Sequence, residues 1–118
     1  MQREIIFFED YFDAFYKAQI QKVRNKIDFV LILVSTVQKI PEKYFKHITG
    51  TDGIFEVRVE VGSDIFRVFS FFDKGKLIIL VNGFQKKSQK TPKAEIEKAE
   101  KLKKEYLENK SENNDYEN

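Results

Sequence analysis

The chain has no cysteine and no tryptophan, and only one histidine, in 118 residues. Without cysteine there can be no disulfide and no thiolate chemistry. One histidine and no cysteine do not supply the donors of a structural zinc. The sequence also lacks GxGxxG, the phosphate-binding GxxxxGKS/T, GxSxG and HExxH. No metal and no cofactor are therefore expected. The longest apolar run, Phe29 to Val34, is far short of the roughly 20 residues of a membrane-spanning helix. No apolar segment of a secretory signal follows Met1-Gln2-Arg3. These absences predict a cytoplasmic protein with no membrane partner. A net charge of +2 does not by itself announce nucleic acid.

Aromatic residues are abundant. Twelve Phe and five Tyr supply much of a core that one domain of this length can bury. The stretch from Gly53 to Lys93 organises the rest. Ile54 to Val61 alternates Phe55, Val57, Val59 and Val61 with Glu56, Arg58 and Glu60, the period of a half-buried strand. Ile65 to Phe72 puts Ile65, Arg67, Phe69 and Phe71 on one face. Asp73-Lys74-Gly75-Lys76 reads as a turn with Gly at the positive-φ position. Leu77 to Val81 is apolar throughout, as in a strand covered on both faces. Short links between these runs predict an antiparallel meander.

Before it, Arg3 to Phe8 reads as a short first strand. Glu9-Asp10 then offers an N-cap for a helix carrying Tyr11, Phe12 and Phe15. Val23, Ile27, Val30, Val34 and Val37 recur at helical steps. A break near Gln19 to Gln21 predicts a helical hairpin over about Asp10 to Ile40, stopped before Pro41. Pro41 to Asp52 reads as a link, with His47 as an ordinary surface imidazole. Thr91-Pro92 opens a last helix with Ile96, Ala99, Leu102 and Tyr106 as its stripe. Residues 1–108 then form one α+β domain: a strand, a helical hairpin, an antiparallel sheet of about four strands and a C-terminal helix. The hairpin covers one sheet face and Arg58 lies on the other. Residues 109–118 are polar and predict a disordered tail.

Charge is unevenly distributed. Ile54 to Lys93 holds eight basic residues against four acidic ones. Arg58 and Arg67 interrupt apolar strands, and Lys86, Lys87, Lys90 and Lys93 follow the last strand. Arginine forks bind phosphate bidentately and lysines add mobile charge. Such a set could hold a scissile RNA phosphate while the RNA's own 2′-hydroxyl attacks it. Equally, the two arginines could be sheet residues paired with Glu56, Glu60 or Asp64.

One resemblance sharpens this. Phe55-Glu56-Val57-Arg58, then Phe66-Arg67-Val68-Phe69, then the run from Asn82 to Pro92 (NGFQKKSQKTP) resemble the core of the RelE/ParE toxin superfamily, closest to its phage-derived HigB-like group. The order and spacing agree over roughly forty residues. Asn82 stands where that group usually has His, and Ser88 where Thr is usual. The resemblance implies a RelE-like fold and a type II toxin, a ribosome-dependent endoribonuclease that cleaves messenger RNA and stops translation. It implies a helix-turn-helix, HigA-like antitoxin as partner, besides the ribosome and the message. By position it implies Arg67 at the scissile phosphate, Arg58 in the same basic cleft, and Lys86 and Lys87 as phosphate contacts or acid. Glu56 would be the base or the residue orienting Arg58. Lys76, Gln89, Lys90 and Lys93 would contact RNA. A ParE-like gyrase inhibitor, or a non-catalytic phage-derived binding protein, are the alternatives. For Arg67 the mid-strand position predicts a head reaching an open polar cleft, and a cost on removal of roughly 1 kcal/mol or less.

Overall fold

The computed structural model describes residues 2–87 and 92–117, with side chains through residue 111. The elements follow in the order β1 (Glu4–Phe7), α1 (Tyr11–Lys17), α2 (Gln21–Thr36), β2 (Phe45–His47), β3 (Phe55–Val61), β4 (Asp64–Asp73), β5 (Leu77–Lys86) and α3 (Lys93–Glu117). The strands form one five-stranded sheet in the order β1-β5-β4-β3-β2. The β3–β4–β5 meander is antiparallel, as its short links require. At the β4–β5 turn Lys74 and Gly75 both have positive φ, 47° and 63°, the turn sense that matches strand twist.

Two features depart from the expected four-stranded antiparallel sheet. β1 pairs with β5 in parallel, because the helical hairpin carries the chain across the sheet before it returns. The segment read as a link contributes β2, which pairs Phe45 with Val57 and Lys46 with Glu56. Its three residues are too few to give a periodic signal.

The apolar stripe of α2, Val23, Ile27, Val30 and Val34, packs with Val57, Val59, Phe66, Val68, Ile78 and Leu80. α3 covers part of the other face, where Ala99 and Leu102 join Ile54, Phe69, Phe71, Ile79 and Val81. The sheet is thus the middle of three layers. Asp10 stands before α1 but makes no side-chain cap bond. α2 ends at Thr36, ahead of Pro41. Arg3 serves the end of α2 instead. Its Nη1 donates to the carbonyls of Val34 (3.0 Å) and Val37 (2.7 Å), and its Nη2 to that of Gln38 (2.8 Å). These carbonyls have no partner within the helix ladder.

β5 carries a bulge. Val68 pairs with Gly83 and Ser70 with Leu80, so two steps on β4 oppose three on β5. The extra residue reverses the in–out alternation. Leu80 lies in the hairpin-side core. Phe84, of the same parity, meets Phe69 on the α3 side with ring centroids 5.2 Å apart. Gly83 takes the hairpin side, where a Cβ would stand 2.5 Å from the Phe15 ring. Lys86 follows the parity of Phe84 and faces the α3 side.

α3 continues to Glu117, through the segment whose composition predicted disorder. Lys110 Nζ donates to Asp73 Oδ1 and Oδ2 at 2.8 and 2.9 Å, and the Tyr106 hydroxyl to Asp73 Oδ2 at 2.7 Å. The tail therefore extends a helix already nucleated and anchored, which is far easier than starting one. No helix among the described residues is long and apolar enough to cross a membrane.

Candidate active site

The part of the sheet face that α3 leaves open is a cleft of about 600 Å³. Glu56, Arg58, Arg67 and Lys86 line its sheet side. Glu42, Lys43, Lys46, His47, Ile48 and Thr49 line the side of the edge strand, and Ile96 of α3 completes it. The pattern of β3 and β4 makes this gathering. Arg58 and Arg67 are directly opposite in register, so both point to one face. Glu56 is one pair along on the same face.

Arg67 does not reach out into an open cleft as expected. Its side chain is only 6% exposed, and its Nη1 lies 2.9 Å from Glu56 Oε2, itself 9% exposed. The strand position explains this. Apolar neighbours on both sides leave the arginine in a dry layer, where a charge persists only if paired. Glu56 thus holds Arg67 and does not orient Arg58. Arg58 instead pairs with Glu60 at 2.9 Å and stays one-third exposed. Both arginines accordingly have the carboxylate partners that a purely structural reading required, yet both also line the cleft.

The electrostatics of the cluster are unbalanced toward positive charge. Burial pushes the Arg67 guanidinium below the usual arginine range; Glu56 pulls it back up and Arg58 opposes it. Burial also lowers the Lys86 ammonium from its ordinary value, and Arg67 and Arg58 lower it further against the pull of Glu56. A buried carboxylate thus serves Arg67, while Lys86 feels mainly like charges. An anion entering the cleft relieves that repulsion.

His47, read from the sequence as an ordinary surface imidazole, lies on the edge strand beside the cleft. It is exposed at the rim of the cleft, but it stands opposite Phe55 in register, so its ring turns to the hairpin face, edge-on to Phe55 with centroids 5.3 Å apart. Its Nε2 lies 3.2 Å from the Thr51 carbonyl. A carbonyl only accepts, so this contact assigns the proton of the neutral ring to Nε2 and leaves Nδ1 as an acceptor. No spacing motif marks this strand; the pairing of β2 with β3 is what brings Lys46 onto the face of Glu56.

Other expected residues fall elsewhere. Lys87 is exposed just past β5 and does not line the cleft. Lys93 opens α3, 3.9 Å from Glu97, and is also outside it. Lys76 sits at the other end of β5, with Nζ 3.4 Å from Gln2 Oε1. Nine residue steps of strand separate Leu77 from Lys86, about 30 Å, so Lys76 is no part of this site. Gln89 and Lys90, with Ser88 and Thr91, lie outside the described residues. Asn82 is buried and turned toward α3, donating through Nδ2 to Glu95 Oε2 at 2.9 Å. Among the described residues no cluster of three or more His, Asp or Glu side chains could hold a metal.

The strand, the hairpin on one face, the C-terminal helix on the other and the basic cleft between define an α+β protein of RelE-like fold. The model of the family described as phage derived protein Gp49-like (DUF891) matches residues 10–104, and the chain belongs to that family. The family is RelE- and toxin-like. A comparison with curated proteins finds no match.

Proposed function

We propose that the chain is a type II toxin that cleaves messenger RNA on the ribosome through attack by the RNA's own 2′-hydroxyl. The observation that carries this reading is the buried Glu56–Arg67 pair, which fixes a guanidinium at the floor of an open cleft beside Arg58 and Lys86. Charge grows on the non-bridging phosphate oxygens as the 2′-oxygen adds. Donors fixed beforehand stabilise that charge without reorganising. The O2′–P bond forms and the P–O5′ bond breaks, giving a 2′,3′-cyclic phosphate and a 5′-hydroxyl. The 2′-hydroxyl proton passes to solvent water in the open cleft. The Lys86 ammonium gives a proton to O5′. Its lowered pKa loosens its hold on that proton, which suits a general acid. Glu56 acts as a positioning residue, since it is committed to Arg67.

A chain with this activity needs a silencer. The expected partner is a helix-turn-helix antitoxin of HigA-like kind, with acidic residues set against Lys86 and exposed Lys87. The test is induction without that partner, followed by mapping of ribosome-bound message. Wild type should arrest growth and leave cyclic-phosphate ends. Arg58→Ala should lose cleavage by about a hundredfold to a thousandfold. Arrest with intact message and damaged DNA would replace this reading with gyrase poisoning. No arrest at all would leave a binding protein.

A further inference from the structure

We propose that the cleft binds three consecutive phosphates of single-stranded RNA, laid diagonally across the sheet from Lys46 on the edge strand to Lys86 on β5. The middle phosphate, the scissile one, lies at Arg58 and Arg67. This rests on the RNA-cleaving reading and adds to it a track, a substrate length and a binding residue, Lys46.

The register of the sheet carries the argument. Lys46 is opposite Glu56, and Arg58 is opposite Arg67. Lys86 is opposite Ile65. Glu56 is two residues from Arg58 on the same face, and Ile65 two residues from Arg67. Lys46 is therefore one strand and one residue pair away from Arg58, and Lys86 stands in the same relation to Arg67 but on the opposite side. With strands about 4.8 Å apart and about 6.6 Å per residue pair, each of these steps is about 8 Å. The cations thus form a stepped diagonal over four strands, with Arg58 and Arg67 side by side at its middle, and the bulge in β5 is what puts its last member on this face. The opposite diagonal does not suit a polyanion. In that direction the next same-face residue after Arg58 on β3 is the carboxylate of Glu60, and the next after Arg67 on β4 is the buried ring of Phe69. Lys46 is exposed, and among the described residues it holds no hydrogen bond or ion pair. Nothing in the fold requires a cation there. The cleft of about 600 Å³ has five lysines and arginines in its lining against two glutamates, an excess suited to more than one phosphate.

Uncleavable 2′-O-methyl oligouridylates of two to six nucleotides test this, titrated against the full chain over a range of salt concentrations. Affinity should climb to the tetranucleotide, which carries three phosphates, and change little beyond it. Lys46→Ala should bind the tetranucleotide about fivefold more weakly at low salt and the dinucleotide unchanged. Its salt slope for the tetranucleotide should fall by about 0.7, the share of one phosphate on a single strand. Lys46→Arg should keep the wild-type slope. An unchanged slope and length dependence in Lys46→Ala overturns the track, as does a wild type that binds none of the oligomers. The cleavage reading is judged separately, by the ends of ribosome-bound message.

Discussion

Strand β4 carries a buried charge cluster near each end, and the two are built to opposite purposes. At one end Asp73 accepts from the Tyr106 hydroxyl and from Lys110, so one carboxylate is fully engaged by donors of α3. At the other end Arg67 is held by Glu56, with Arg58 and Lys86 beside it. Arg67 and Asp73 share a face six residues apart, about 20 Å along the strand. The first cluster is closed: its charges cancel, and it fastens the helix. The second is open: its cations outnumber the buried carboxylate, and no helix lies over it. Covering a charge cluster turns it into a clasp, and leaving it uncovered with charge in excess leaves a cleft that attracts anions.

The largest effect should come from opening the Glu56–Arg67 pair. Arg67→Ala leaves a carboxylate buried without its guanidinium and should destabilise the fold by about 3–5 kcal/mol, read by denaturant unfolding. This replaces the cost of 1 kcal/mol or less that an exposed head implied. The double variant Glu56→Leu/Arg67→Met should recover most of the loss, since apolar pairs often substitute for buried ions. It should still fail to cleave RNA. A double variant as unstable as Arg67→Ala would mean that the pair is needed for the fold as well as for the site.

The clasp should be the more sensitive to pH. Lys110 and Tyr106 hold the Asp73 carboxyl below its ordinary value against the effect of burial. Its contribution is present above about pH 4 and lost as pH falls through the folded value. Burial, and then Asp73 itself, push the Tyr106 hydroxyl up to about 12. That contribution is present below about pH 10 and lost as pH rises toward 12. Asp73→Asn should flatten the acid limb of a stability profile, and Tyr106→Phe the alkaline one. Tyr106→Phe should also cost about 1 kcal/mol at neutral pH.

At the open cluster the pH effect belongs to rate. If Lys86 is the acid, cleavage should fall as pH rises through its lowered pKa. Lys86→Arg should abolish that fall, because arginine does not lose its proton in the same range. Smallest of all, Lys76→Ala should leave oligonucleotide affinity unchanged within error. A clear loss there would extend the site to the far end of the sheet.

Much of this was legible in the residues. The alternation of Glu56 and Arg58 with Val57 and Val59 placed them on the polar face of β3, and the step of Val23, Ile27, Val30 and Val34 gave α2. Those patterns are local, set by side chains two or four residues apart. Lys76 was misplaced because closeness in sequence to the meander hid ten residues of extended strand.

By itself the sequence determined the elements other than β2, their order and which cations share a strand face with one another, since period and turn chemistry act over a few residues. Tertiary structure decided the rest. Pairing of a three-residue edge strand brought Lys46 to the cleft. One bulge turned Lys86 toward Arg67. Layering buried Arg67 and made Glu56 its partner. Each of these depends on contacts between segments far apart in the chain, whose register is set by how the whole sheet packs.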